Sequence, residues 1–316
     1  MMKTFITGGA GFIASHLEDV LIKAGCEVCA ADVTEPAKCH NIMHLMDNGR
    51  FTYQQLDVTD VNALTKATAD CDVVYHLAAN SDIRRGGQDP AMDYTMTFQT
   101  TRAVLEAVRV NCIPKMFFSS TSAVYGDIKG SLNELTGGLK PISYYGAAKL
   151  SSEAMISAYS YMNDFDALIF RFPNVIGPRL THGVIFDFLR KLKQNPKKLE
   201  ILGNGKQNKQ YVYVTDLVRG IWEFSQKKEP GLSLYNVSTE SYTDVNTIAD
   251  LVCERLGLKD VKYSYTGGNC GWKGDVSSFG YDISKAKAAG WKYRYSSTEA
   301  VRETLRQIDA AYISSL

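Results

Sequence analysis

The sequence predicts an α/β fold: a doubly wound parallel sheet with a smaller α/β domain interleaved with it. Three observations predict this. Short apolar runs alternate with helical patterns through the first half of the chain. A glycine-rich turn joins the first run to the first helix. After Pro173 the texture changes to loops, short strands and helices without sustained alternation. Strands alternating with helices make βαβ units, and the sheet they build is covered on both faces. Its strands therefore read as continuous apolar runs.

The elements follow in order. "KTFIT" is the first strand, then come glycines and a helix from Ile13 to Ala24. "CEVCAAD" is the second strand and "FTYQQLD" the third, followed by a helix over Val61 to Ala69. "CDVVYHLAA" is the fourth strand, and a helix covers Met92 to Val110. "KMFFSST" is the fifth, followed by a helix from Tyr145 to Met162 and then "ALIFRFP". Beyond Pro173, "NVIGPRLTHG" is loop-like, and "VIFDFLRKLKQNP" is a helix stopped by Pro196. "QYVYVTDLVRGIWEFSQ" returns to strand and then helix. Helices close the chain over Val245 to Leu256 and Thr298 to Ala311. Repeats, low-complexity tracts and Ser/Gly-rich linkers are absent from the sequence.

A chain of 316 residues with 45% hydrophobic residues can bury a large core without disulfides or metals. A net charge of +1 provides no bulk attraction to nucleic acid or to an acidic membrane, so neither is expected as a partner. Any anionic ligand must be held by local groups. "MMKTFITGGAGF" lacks the apolar stretch and small-residue cleavage site of a signal peptide, and no apolar run is long enough to cross a bilayer. Cys26 and Cys29 have CxxC spacing but flank Glu27 and Val28 in a strand, with no second pair and no His cluster. The seven cysteines read as buried or half-buried thiols, no metal is expected, and the expected location is cytoplasmic.

"ITGGAGFIAS" carries the first functional signal. Gly8 and Gly11 are three apart, Phe12 and Ile13 open the helix, and Ala14 is the third small residue. Glycines permit a tight turn and close approach of a pyrophosphate, while the helix N-terminus supplies free N–H groups and a positive dipole end. Asp32 ends the second strand, 24 positions after Gly8. There it can accept from both hydroxyls of an adenosine ribose and would repel a 2′-phosphate, which favours NAD over NADP. Asp57, with Val58 beside it, ends the third strand and can meet the adenine amino group. Either acid can equally serve as a cap or a turn.

"SYYGAAKL" carries the second. Tyr145 and Lys149 are four apart at a helix start and share a face. A Lys ammonium near a phenol favours the phenolate, so Tyr145 is expected to titrate below the usual value of about 10 and to act as a base near neutral pH. Tyr144 has no lysine at that spacing. A chance pair on an amphipathic helix is the plain alternative.

The order of these motifs resembles the extended short-chain dehydrogenase/reductase family, with its Rossmann-like fold. Within that family the chain looks like the nucleotide-sugar epimerases and dehydratases, of the UDP-glucose 4-epimerase kind. "TGGAGFIASH", "DVTD", "HLAA", "SSTSAVYG", "YYGAAK", "RFPNVIGPR", "YVYVTDL" and "YDISKAKAAGW" stand in the family's order across nearly the whole chain. The resemblance implies an NAD-binding Rossmann domain over 1–172, with 210–236 returning to it, and a substrate-binding domain over 173–209 and 237–316. It implies Tyr145 as catalytic base and acid, Lys149 on the nicotinamide ribose, and Thr121 as the third catalytic member. Leu77, Ala78, Ala79 and Phe172 would line the cofactor, and Asn174 would contact the sugar nucleotide.

Dehydratases of the family carry Asp-Glu directly after the catalytic Thr, and decarboxylating relatives carry a Glu one residue further on. Here those places hold Ser122 and Ala123. Neither shuttles a proton as a carboxyl does, and a 4-epimerase needs no such group. The expected function is therefore NAD-dependent 4-epimerisation of a nucleotide-diphosphate sugar, a UDP-hexose or UDP-uronic acid, through a 4-keto intermediate. A 4-ketoreductase, a 4,6-dehydratase and a non-catalytic NAD-binding scaffold are the rivals on the same fold.

The diphosphate grip departs from the family's pattern. Lys209 stands where many relatives have Arg before the "YVYV" strand, and Trp272 stands at the second Arg position, with Lys273 next. Lys meets phosphate as a point charge without the fork of Arg. Arg84 and Arg85 after "HLAANSDI", and Arg179 in "GPR", are candidates for a sugar carboxylate or phosphate, or solvated loop charges. The resemblance also implies a homodimer whose four-helix bundle uses Met92–Val110 and Tyr145–Met162.

Overall fold

The computed structural model describes residues 1–80, 82–276, 280–308 and 313. The chain forms two compact units. The first comprises Met1–Gly126, Gly138–Arg171 and Val218–Tyr235. The second comprises Asp127–Gly137, Phe172–Leu217 and Asn236–Leu316.

The first unit is built on β1 (Lys3–Thr7), β2 (Glu27–Asp32), β3 (Phe51–Gln55), β4 (Val73–His76) and β5 (Lys115–Thr121). With Asp166–Phe172 and Leu232–Asn236 they make one seven-stranded sheet. From one edge the order is Leu232–Asn236, Asp166–Phe172, β5, β4, β1, β2, β3. β1 pairs in parallel with β2 and β4, β2 with β3, and β4 with β5. Successive strands run outward from β1 in one direction and from β4 in the other. The crevice beyond the carboxyl ends of β1 and β4 is the topological switch point, where such sheets bind ligands.

Both faces of this sheet are covered, which is why its strands lack polar alternation. Register places Cys29, Phe5, Val74 and Met116 in one row across four strands. That row packs into a core with Val104, Val108 and Ile156 from the covering helices. The adjacent row, Ala30, Ile6, Tyr75 and Phe117, points to the opposite face by the two-residue period of a strand. There Phe117 meets Phe170 edge-on at 5.5 Å, Phe170 meets Phe224 at 5.2 Å, and Phe224 meets Tyr235 at 5.0 Å. Each edge-to-face pair adds about 0.5–1.5 kcal/mol beyond its burial.

Three local expectations are corrected. The stretch from Met92 to Val110 is not one α-helix. A short turn of helix, Pro90–Asp93, leads into a π-helical segment, Tyr94–Gln99, before the α-helix Thr100–Val110. The Thr100 hydroxyl donates to Met96 O at 2.9 Å and the Thr101 hydroxyl to Thr97 O at 2.8 Å, so side chains share the carbonyls that a regular ladder uses. The return to the sheet unit begins at Val218 rather than 210, because Tyr211–Tyr213 pairs in parallel with Asn174–Ile176 of the second unit. The second unit also takes Asp127–Gly137 from the middle of the first half, because Ser131–Leu132 pairs with Gly280–Tyr281 and Asn236 Nδ2 donates to Leu132 O at 2.9 Å.

The second unit holds two further short strand pairs, Lys198–Ile201 with Lys262–Tyr265 and Asn208–Lys209 with Thr243–Asp244. Its helices include Val184–Gln194, Val245–Arg255 and Ser297–Gln307. Asp244 caps the second of these, and a Ser296–Glu299 capping box starts the third. The expected end of that last helix, at 309–311, lies outside the described residues.

Candidate active site

The glycine turn is enforced by sterics. Gly8 has φ +71°, and a Cβ there would lie 2.8 Å from Ala78 N, in the loop after β4. A Cβ on Gly11 would meet Gly8 O at 2.9 Å, and Gly11 N donates to that same oxygen at 3.0 Å. Gly9, which the spacing alone does not single out, is equally constrained: its Cβ would lie 2.6 Å from Ala30 Cβ on β2. The helix that follows, α1 (Phe12–Lys23), begins at Gly11 without a side-chain cap. Phe12 is buried and Ile13 half-buried there.

Leu77, Ala78 and Ala79 line the crevice from the β4 side, all half-buried. They are tied to β1 by Leu77 N donating to Thr7 O at 3.2 Å and Ala78 N to Thr7 Oγ1 at 3.3 Å. Asp32 ends β2 with Oδ2 accepting from Ala10 N, inside the glycine turn, at 3.3 Å, while Oδ1 accepts from Thr34 N and Oγ1 at 3.1 and 2.8 Å. A close-approach cradle, an uncapped helix start and a carboxylate anchored beside both fit a dinucleotide. Asp57 is exposed, and its Oδ1 closes a turn on Thr59 N and Oγ1 at 2.9 and 2.7 Å. Val58 beside it is buried.

The second cluster forms where β5 meets the helix Tyr144–Asn163. Ser143 caps that helix by accepting from Gly146 N at 3.1 Å. Gly146 is needed because a Cβ there would lie 2.6 Å from Ala123 O. This close contact sets the helix start against the 3-10 turn Ser122–Tyr125, which Thr121 caps by accepting from Ala123 N at 3.2 Å. The Thr121 hydroxyl acts on the Tyr145 phenol and favours its ionised form.

Lys149 is fully buried one turn on. Its Nζ donates to Ser119 O at 2.5 Å, lies 3.4 Å from Ser119 Oγ, and sits 4.5 Å from the Phe118 ring centroid. The Tyr145 ring centroid is 5.9 Å from it. This geometry corrects the expected titration. Burial pushes the Tyr145 phenol up to about 12; its bond to Thr121 lowers it and the nearby charge of Asp93 raises it. Burial brings Lys149 down to about 7, opposed by the charge of Glu153. Lys149 turns its protons to Ser119, and desolvation governs both members of the pair.

The other hydroxyls at the end of β5 have structural partners. Ser119 Oγ donates to His76 O at 3.3 Å, and Ser120 Oγ donates to the Glu153 carboxylate. Glu153 and Arg171, which the motif reading passed over, form a buried ion pair with Nη2 to Oε2 at 2.6 Å. A charged residue in the middle of the apolar strand "ALIFRFP" was the signal for it. Asp93 was also passed over. It is buried, and burial raises its carboxyl above the usual range. Oδ1 accepts from Asn80 Nδ2 at 2.8 Å, and Oδ2 has no hydrogen-bond partner among the described residues.

The expected substrate contacts are divided between the units. Arg84 is exposed on the short helix Ile83–Gly86 of the first. In the second unit Asn174 is exposed at the start of its strand, Lys273 is exposed and Arg179 has φ 66°, while Phe172, expected to line the cofactor, is buried. Lys209 is neither solvated nor free: it pairs with the buried Asp275 carboxylate, 5.4 Å from the Trp272 ring centroid. Its charge is already matched inside the protein.

Among the described residues no group of His, Cys, Asp or Glu could hold a metal ion, and no helix is long and apolar enough to cross a membrane. All seven cysteines are free thiols, and burial raises Cys29 to about 11.

The model of the NAD dependent epimerase/dehydratase family matches residues 4–238. A Bacillus subtilis (strain 168) chain described as an uncharacterized UDP-glucose epimerase, YtcB, is 30% identical, with 100% of this chain and 99% of that one covered. The crystal structure of a UDP-glucuronic acid 4-epimerase from Bacillus cereus, in complex with UDP-glucuronic acid and NAD, superposes with a TM-score of 0.88 at 29% identity, covering 99% of each chain. A UDP-N-acetyl-alpha-D-glucosaminuronate decarboxylase from Bacillus cytotoxicus is 29% identical over 78% of each chain.

Proposed function

The chain belongs to the NAD dependent epimerase/dehydratase family, and from that premise we propose that it is an NAD-dependent 4-epimerase of a nucleotide-diphosphate sugar, a UDP-hexose or UDP-uronic acid, working through a 4-keto intermediate. One observation carries the reading. Thr121, Tyr145 and Lys149 converge in the unit that holds the glycine cradle, and the two positions after Thr121 are Ser122 and Ala123, without a carboxyl.

NAD, when bound, supplies the acceptor for the hydride leaving C4 and returns it. The protein's part is positioning and proton transfer. The positive nicotinamide ring, when bound, would oppose the effect of burial on Tyr145, which as phenolate takes the proton from the 4-hydroxyl as the C4–O bond becomes a carbonyl, and gives it back when the alcohol re-forms. Thr121 donates to the oxygen on which charge changes. Lys149, which here donates to Ser119, would hold the nicotinamide ribose and, when protonated, favour the phenolate. The 4-keto sugar turns and is reduced on its other face, so no second acid or base is required. Gly8, Gly11 and the start of α1 would hold the pyrophosphate, Asp32 the adenosine ribose and Asp57 the adenine. Asn174, Arg179, Arg84 and Lys273 are the candidate substrate contacts. Lys209 joins them only by leaving Asp275. The same reading places seven free thiols in a reducing cytoplasm. It also places a second copy of the chain against the helices around residues 92–110 and 144–163, where Tyr94, Met96, Tyr161 and Met162 are exposed.

Incubation with UDP-, GDP-, CDP- and dTDP-sugars, with products read by NMR, tests the function. Inversion at C4 without net redox is the expected outcome. A C5–C6 elimination product, released carbon dioxide, or dependence on added NADH or NADPH would replace the reading with a dehydratase, a decarboxylase or a 4-ketoreductase. Tyr145→Phe should keep NAD affinity and lose at least about a hundredfold in turnover. Wild-type turnover in that variant would remove Tyr145 from its role.

A further inference from the structure

The catalytic set comes from two elements, and something must fix one against the other. Thr121 ends β5, whereas Tyr145 and Lys149 ride on the helix Tyr144–Asn163. Arg171 lies on Asp166–Phe172, the strand beside β5 in the sheet, and is 4% exposed. Its Nη2 donates to Glu153 Oε2 at 2.6 Å and its Nε to Oε1 at 3.0 Å. Its Nη1 donates to the Tyr125 hydroxyl at 3.0 Å, and its Cζ sits 4.9 Å from the Tyr125 ring centroid. Glu153 is one helical turn beyond Lys149 and also accepts from Ser120 Oγ. The group thus reaches the residue before Thr121, the residue that closes the turn Thr121 caps, and the helix that carries Tyr145.

A buried ion pair is weak evidence of stabilisation, since apolar side chains of like volume often serve as well. Its distinguishing property is geometry: the planar guanidinium fork holds a carboxylate at a set distance and angle. Geometry is what the reaction demands of Thr121, because misplacement by about 1 Å can cost a hundredfold in rate. We propose that the buried Glu153–Arg171 pair, with Ser120 and Tyr125, is a positioning device that sets the Thr121 hydroxyl against Tyr145, a role that rests on the epimerase reading of the site.

Ser120→Ala and Tyr125→Phe each remove one hydroxyl from this network and leave the backbone and the ring in place. Each should lower kcat about tenfold or more with NAD affinity and KM held. In a Thr121→Ala background neither should lower kcat further, because both act through that hydroxyl. Losses that add to that of Thr121→Ala, losses that only follow a fall in Tm, or full activity of Thr121→Ala would each overturn the proposal. A second readout needs no turnover. The NMR signal of the Thr121 methyl should shift or broaden in both variants, and an unchanged signal overturns the positioning role. A moved methyl in a protein that turns over no nucleotide sugar sinks the epimerase reading instead.

Discussion

Lys149 shows how much a residue's chemistry depends on what surrounds it. Its ammonium is brought from an ordinary 10.5 to about 7 by burial. Between those values the unfolded chain binds the extra proton, so stability rises with pH across that window. Below about pH 7 both states are protonated and the full cost of burying the charge stands. In the protein without NAD, Lys149→Met should therefore stabilise more at pH 7 than at pH 10, measured by urea unfolding at both. An equal effect at the two pH values would remove charge burial as the cause. Tyr145 has the opposite sign. Its folded value, about 12, lies above the ordinary 10, so its contribution is complete below pH 10 and is lost toward 12. The sequence spacing placed these two side chains on one helix face correctly. It could not reveal that Lys149 would aim at Ser119, since that contact joins residues 30 apart in the chain.

Elements succeed or fail according to whether their determinants are local. The glycine turn is local and was legible: its positive φ and close approaches need residues without a Cβ. Gly8→Ala places a Cβ against Ala78 N and strains the backbone, so a loss of about 1–3 kcal/mol is expected together with weakened NAD binding. Gly25 has φ +88° with nothing within 4 Å of a would-be Cβ. Gly25→Ala should then lower Tm while leaving NAD affinity unchanged, as read by titration of the folded protein. Equal NAD affinity in both variants would disprove the cradle. The π-helical stretch Tyr94–Gln99 was not legible, because apolar periodicity does not register a threonine hydroxyl that takes a carbonyl from the helical ladder. Nor were Glu153 and Arg171 legible as a pair, since Arg171 stands on a strand and Glu153 on a helix 18 residues earlier.

At the scale of the molecule, the exposed Tyr161 and Met162, 84% and 75% accessible, are the reason to expect association. Light scattering should give twice the 35.0 kDa chain mass. Tyr161→Asp with Met162→Glu should halve that mass, and a monomeric wild type would dispose of the dimer. The sequence by itself determined the α/β class, the succession of strands and helices up to β5, the glycine turn and the Asp32 that ends β2, and the helix face shared by Tyr145 and Lys149. Each is written in period, spacing or a residue's own backbone freedom. The tertiary structure alone decided which segments form each unit, with Tyr211–Tyr213 and Asp127–Gly137 captured by the second through strand pairs that sequence spacing does not encode. It alone decided that Lys209 is neutralised by Asp275 and that desolvation governs Tyr145 and Lys149. Charge and solvation are properties of neighbours, and those neighbours are brought together only by folding.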